Sequence, residues 1–203
     1  MITIVDYGMG NLGSLSNMFK RIGVESEITS DHQKLLSAKK ILLPGVGAFD
    51  AAMERINAGG FREILDKKAL EEKIPVLGIC LGLQLLTNYS EEGKLPGLGW
   101  IPASTTKFSF EKDSKLKVPH MGWNLVYEKN PSLFTSDLPA EPRFYFVHSY
   151  FVQAEDSRHV LATTIHGVEF NSIIQKENIF GAQFHPEKSH KYGMKLLENF
   201  ARL

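Results

Sequence analysis

The sequence predicts an α/β protein: a central, mostly parallel sheet flanked by helices, with an antiparallel or mixed sheet added in its second half. Three observations predict this. Over the first 90 residues, short apolar runs alternate with helical patterns, as βαβ units require. After Tyr89, Pro96, Gly97, Gly99 and Pro102 break that rhythm, and short strand-like runs follow one another instead. Between the two textures, Ile74–Leu86 joins an apolar strand to a helical pattern through Gly78-Ile79-Cys80-Leu81-Gly82.

In order along the chain, Ile2–Tyr7 reads as a buried strand, and Leu15, Met18, Phe19 and Ile22 mark a helix stopped by Gly23. Val24–Thr29 is a second strand. Ser30 or Asp31 then caps a short helix through Leu35 and Leu36. Lys39–Leu43 is a third strand and runs into the loop Pro44-Gly45-Val46-Gly47. Phe49, Ala52, Met53 and Ile56 share one helix face, Gly59-Gly60 breaks it, and Phe61, Ile64 and Leu65 resume it. The later strand-like runs are Thr106–Phe110, Lys117–Tyr127, Phe144–Gln153, His159–Thr164, Ser172–Gln175 and Ile179–Phe184. Residues 112–117 read as a charged, solvated turn, and Met194, Leu196, Leu197 and Phe200 mark a final amphipathic helix. No repeat, linker or internal boundary divides the chain, so residues 1–203 read as a single domain.

Composition excludes several classes. Lys+Arg and Asp+Glu both number 23, so there is no excess positive charge for nucleic acid. The N-terminus reaches Asp6 after five residues, unlike a signal peptide, and no apolar run approaches membrane-spanning length. One cysteine allows no intrachain disulfide, and a reduced, cytoplasmic setting is expected. Gly8-Met9-Gly10-Asn11-Leu12-Gly13 matches a dinucleotide fingerprint in form, but Glu25 and Glu27 are poorly placed as its acid. A plain strand-to-helix turn is the better reading.

The chemistry centres on Cys80. Glycines stand two residues to either side of it, an arrangement that chance gives a cysteine in roughly 1 case in 200. It is the pattern of a nucleophile elbow with sulfur in place of serine. The strained turn leaves no room for flanking side chains, and it places the thiol at a helix N-terminus that favours thiolate. A buried structural cysteine is the competing reading, so a base is needed. His185 follows an apolar strand, precedes Pro186, and has Glu187 two residues on, within reach of its imidazole. Thiolate, imidazole and orienting acid are the set a cysteine hydrolase requires. Metal binding is disfavoured because no second histidine or cysteine stands at ligand spacing. An oxyanion hole would draw one N–H from Leu81, after the nucleophile, and a second from the Gly45-Val46-Gly47 loop.

Pro44–Gly47, Gly78–Leu86 and His185–Glu187, in that order, resemble the triad-type (class I) glutamine amidotransferases. Asp6–Asn11, Pro44–Phe49, Ser90–Gly93, Pro119–Asn124, Tyr145–Tyr150 and Phe184–Ser189 narrow the resemblance to the glutaminase subunits of imidazole glycerol phosphate synthase, over essentially the whole chain. The resemblance implies hydrolysis of L-glutamine to glutamate and ammonia through a thioester on Cys80, with His185 as general acid/base, Glu187 as its orienter and no cofactor. It further implies oxyanion donors at Val46 and Leu81, and a glutamine pocket formed with Gly47, Gln84, Ser149 and Tyr150. It implies a heterodimer with a (β/α)8-barrel synthase that uses the ammonia in histidine biosynthesis, docked near Asn11, Met121 and Trp123. Two departures, Trp100 and His190-Lys191, resemble instead a paralogous group that feeds ammonia to an amidotransferase of surface-sugar biosynthesis. A stand-alone cysteine peptidase and a non-catalytic binding subunit are the other readings. Neither accounts for the complete Cys80, His185 and Glu187 set.

Overall fold

Ile2–Val5 (β1) is buried along its whole length, as a strand covered on both faces must be. In this computed structural model, which describes residues 1–111 and 113–203, β1 pairs in parallel with Ser26–Thr29 (β2) and Ile41–Leu43 (β3). Val76–Ile79 (β4) extends the sheet in parallel from β3. Between the strands lie Leu12–Arg21 (α1), His32–Ser37 (α2), Phe49–Ala58 (α3) and Phe61–Asp66 (α4), the last continued by a π-turn at Lys67–Glu71. Of the two capping candidates for α2 it is Asp31 that acts, its carboxylate accepting from the N–H groups of Gln33 and Lys34.

Leu81–Leu85 (α5) follows the elbow. The chain then forms Tyr89–Ser90 (β5), Ala103–Lys107 (β6), His120–Leu125 (β7), Tyr127–Glu128 (β8), Arg143–His148 (β9), Tyr150–Ala154 (β10), Val160–His166 (β11), Val168–Lys176 (β12) and Ile179–Ala182 (β13), and ends in His190–Arg202 (α6). Among the described residues, eleven strands share one sheet in the order β2-β1-β3-β4-β13-β12-β10-β6-β5, with β11 and β8 branching from β12. The expected added sheet is thus mostly an antiparallel extension of the first. The graft point is β13, parallel to β4 on one side and antiparallel to β12 on the other. Among the described residues, β7 and β9 alone form a separate two-stranded sheet.

The run Phe144–Gln153, which reads as continuous, is two strands that part at Ser149. β9 joins the small sheet and β10 the large one. The two-residue β5 has no periodicity to betray it and was not expected from sequence. Of the charged turn, Asp113–Lys117 is exposed, while Lys112 lies outside the described residues.

The main sheet separates two apolar cores. On one face Leu15 and Phe19 of α1 pack with Leu196, Leu197 and Phe200 of α6. On the other, Phe49, Met53 and Ile56 of α3 pack with Leu65 of α4 and with Leu81, Leu83 and Leu85 of α5. Residues alternate between the faces along β3, where Leu42 joins the first core and Ile41 and Leu43 the second. The C-terminal ends of β4 and β13 come side by side, and their loops carry Cys80 and His185 to the same rim.

Candidate active site

Cys80 is the junction residue between β4 and α5, at φ 55° and ψ −109°. Its N–H donates to the Ala182 carbonyl at 2.8 Å, so it keeps the β13 ladder while the chain turns. The two elbow glycines are sterically required. A Cβ on Gly82 would overlap the Leu43 carbonyl oxygen, and one on Gly78 would stand 2.6 Å from the Gly82 carbonyl oxygen. The thiol is 3.9 Å from the Val147 carbonyl oxygen and 4.0 Å from Gln183 Nε2.

His185 is built as a fixed turn. Its N–H donates to the Tyr145 carbonyl on β9 at 2.9 Å. The Ser189 hydroxyl donates to the His185 carbonyl at 2.6 Å and accepts the Tyr145 N–H at 3.0 Å. Pro186 opens the short 3-10 turn Pro186–Lys188, which swings Glu187 back under the ring. Glu187 Oε1 lies 2.7 Å from His185 Nδ1, with both side chains buried. That bond fixes Nδ1 as the protonated nitrogen and leaves Nε2 for the sulfur. Burial depresses the imidazolium, but the hydrogen bonds and charges of Cys80 and Glu187 outweigh it and raise His185 to about 10.

A pocket of about 320 Å³ brings these groups together with Val46, Gly47, Leu81, Gln84, Ser149 and Tyr150. Eight of the sequence-predicted residues thus line one cavity, while Glu187 lies behind His185. Tyr7 anchors the loop over the pocket, its hydroxyl donating to the Pro44 carbonyl at 2.5 Å. Leu81, first in α5, has no helical acceptor for its N–H. The N–H groups of Val46 and Gly47 have no acceptor among the described residues. Gln84 Nε2 donates to the Tyr150 carbonyl at 3.1 Å.

Sequence reasoning missed Glu92, Pro119, Val147, His148 and Lys188 as pocket residues. Each lies inside a segment that carries the resemblance, but no spacing rule singles it out. Glu92 accepts the Phe49 N–H at 3.1 Å, and burial pushes its carboxyl upward. A larger cavity, about 640 Å³, lies between residues 131–142 and β11–β12. Its lining mixes proline and aliphatic side chains with Ser132, Thr135, Ser136, Glu128 and Asp137, and neither a cysteine nor a histidine is among them.

The remaining predicted positions lie outside the pocket. Asn11 caps α1, its side chain accepting the Ser14 N–H at 3.4 Å. Met121 and Trp123 are 62% and 46% exposed on β7. Trp123 stacks on His190 with ring centroids 5.5 Å apart. Trp100 is a core residue, buried with its indole N–H donating to Asp66 at 2.6 Å. Its identity is thereby explained by packing.

A cysteine on a strand–helix elbow beside a buried histidine–glutamate pair, on a sheet covered by helices on both faces, defines a triad-type cysteine hydrolase. The chain belongs to the class-I glutamine amidotransferase family, whose profile matches residues 3–203. Among similar proteins, an imidazole glycerol phosphate synthase subunit HisH 2 of Methanococcus maripaludis is 52% identical over 100% of this chain and 99% of its own length. A HisH subunit of Bdellovibrio bacteriovorus is 45% identical over the full length of both. A glutamine amidotransferase crystal structure superposes with a TM-score of 0.74 at 17% identity, covering 100% of this chain and 99% of that one, a likeness of fold.

Proposed function

We propose that this chain is the glutaminase subunit of an imidazole glycerol phosphate synthase, with residues 1–203 working as one domain in the cytoplasm. The full-length similarity to subunits of that name supports the pathway. The observation that carries the chemistry is the 2.7 Å His185–Glu187 pair in the same rim as the Cys80 elbow.

The Cys80 thiolate, paired with the His185 imidazolium, attacks the side-chain carboxamide carbon of L-glutamine. The carbonyl oxygen becomes an oxyanion, held by the Leu81 N–H and by an N–H of the 45–47 loop, Val46 in the first instance. His185 gives its proton to the leaving nitrogen. The C–N bond breaks, and ammonia departs from a γ-glutamyl thioester. His185 then takes a proton from water, which attacks the thioester and releases glutamate. Gly47, Gln84, Ser149 and Tyr150 hold the substrate, and the Glu92 carboxylate at the pocket wall suits its α-ammonium. Glu187 holds the ring of His185 and stabilises its charge.

The ammonia passes to a (β/α)8-barrel synthase subunit docked over Asn11, Met121 and Trp123, which uses it to make imidazole glycerol phosphate in histidine biosynthesis. The exposed apolar side chains of β7 support this placement. The test is glutamine turnover by the complex. Cys80→Ala is expected to abolish it while the complex still assembles, and a glutamine-like diazoketone should label Cys80 in the wild type. Retained turnover in the alanine variant would overturn the assignment.

A further inference from the structure

The two most buried histidines outside the catalytic pair form a directed hydrogen-bond chain. His148 Nδ1 lies 2.7 Å from the Tyr150 carbonyl oxygen, and His148 Nε2 lies 2.9 Å from His120 Nδ1. His120 Nε2 in turn lies 3.1 Å from Asn124 Nδ2. A carbonyl only accepts, so His148 carries its proton on Nδ1. Its Nε2 is then an acceptor, which puts the His120 proton on Nδ1 and makes His120 Nε2 the acceptor from Asn124. The far end is set independently. Asn124 Nδ2 also donates to the Ile165 carbonyl at 2.9 Å, and Asn124 Oδ1 accepts the Leu125 N–H at 2.8 Å, so the amide cannot be flipped. Backbone groups at both ends thus impose the same direction, and both rings must be neutral. A proton added to either would set two N–H groups against each other.

We infer that Asn124, His120 and His148 are positioning residues that fix the Tyr150 carbonyl, and through it Gln84, in the wall of the glutamine pocket. The inference rests on the glutaminase reading above. The Tyr150 carbonyl is the junction, because it accepts from both His148 Nδ1 and Gln84 Nε2, and His148, Tyr150 and Gln84 all line the pocket. Among the described residues, packing leaves the rings no other hydrogen-bond partner. His166 of β11 stacks on His120 with centroids 4.2 Å apart, while Phe108, Phe146 and Phe170 close around the pair. The ionisable groups facing it are His166 and, toward His148, His185. No Asp, Glu, Lys or Arg side chain bonds to the chain of donors among the described residues. Burial, with the nearby imidazoles, lowers His120 to about 4 and His148 to about 3, in keeping with two neutral rings.

The discriminating variant is Asn124→Asp, assayed for glutaminase as the complex with the barrel synthase subunit. It replaces the terminal donor by an acceptor. The relay then survives only while His120 is an imidazolium. When that proton leaves, the relay inverts and a bare His148 Nδ1 faces the Tyr150 carbonyl. The expected result is a KM for glutamine that climbs about 5–10-fold from pH 6 to pH 9 in the variant, the equivalent of one buried hydrogen bond. In the wild type KM rises only as the substrate's own α-ammonium deprotonates near pH 9, and kcat follows the same pH profile in both proteins. A variant KM that follows the wild-type pH profile would overturn the inference, since a merely structural asparagine would lower stability without giving KM a pH dependence of its own. Long-range ¹H–¹⁵N spectra of the wild-type chain with labelled histidine read the tautomers directly, whatever the variant's folding. Nδ1–H signals for both rings at pH 7 are expected, and an Nε2–H or imidazolium signal for either would also overturn it. Absence of glutamine turnover in the wild-type complex would refute the glutaminase reading instead, and would leave the tautomers unchanged.

Discussion

Replacing Cys80 by glycine should leave the protein more stable than replacing it by alanine, although both remove the nucleophile. At φ 55° and ψ −109° a residue bearing a Cβ is held in a sparsely populated conformation, at a cost of roughly 1–3 kcal/mol. Alanine keeps the Cβ and therefore the strain, whereas glycine releases it. Against that gain, glycine loses about 0.4–1 kcal/mol to the freer unfolded chain. At a buried site it also forgoes up to about 0.8 kcal/mol of methyl burial. Central values leave glycine ahead by about 1 kcal/mol, which for a chain of this size is a melting difference of about 2–4 °C. Calorimetry and urea titration of the two variants, side by side, measure it. An alanine variant that melts with or above the glycine variant would show that the elbow stores no strain, and the steric account of Gly78 and Gly82 would lose its companion.

Three further outcomes are expected. Glu187→Gln removes the charge that holds the His185 imidazolium, and kcat of the complex should fall about 10²–10⁴-fold with little change in KM, by analogy with triad orienters generally; steady-state kinetics decide it. Gly82→Ala drives a Cβ into the Leu43 carbonyl oxygen, an obstruction that no side-chain rotation relieves, and should destabilise by about 3 kcal/mol or more, read from urea midpoints. The folded pKa of His148, about 3, lies below its unfolded value of 6.5, so its contribution is present above pH 6.5 and lost as pH falls toward 3. At pH 5 that loss is about 2 kcal/mol. His185, raised to about 10, has the opposite sign: its contribution is complete below pH 6.5 and lost as pH rises through 10. Denaturation midpoints measured against pH should therefore peak close to pH 6.5.

Much of this was legible because it is written in local chemistry. The strand-to-helix switch at Gly78–Gly82 and the His185-Pro186-Glu187 turn are each set by residues within four positions of one another, so spacing alone exposes them. The apolar alternation of α1, α3 and β1–β4 was legible for the same reason. The pocket wall was not. Glu92 is brought in by the pairing of β5 with β6 and by the Phe49 N–H, His148 by the parting of β9 and β10 at Ser149, and Lys188 by the turn after β13, and nothing local encodes those pairings. The Phe144–Gln153 run has the apolar pattern of one long strand, and its division between two sheets depends on partners far away in sequence. Trp100 and His190 show the converse. They stand out in the sequence, yet one is explained by a buried bond to Asp66 and the other by a stack on Trp123.

That division at Ser149 has a mechanical consequence. The catalytic crevice lies on the seam between two hydrogen-bonding ladders, one holding β9 to β7 and the other holding β10 to β6 and β12. Neither ladder crosses it. What spans the seam is side-chain and loop bonding: His120 to His148, His148 to the Tyr150 carbonyl, and the Ser149 carbonyl accepting the Phe108 N–H at 3.0 Å. A displacement of β7 would therefore reach the glutamine pocket through those two imidazole rings and not through a rung of either sheet.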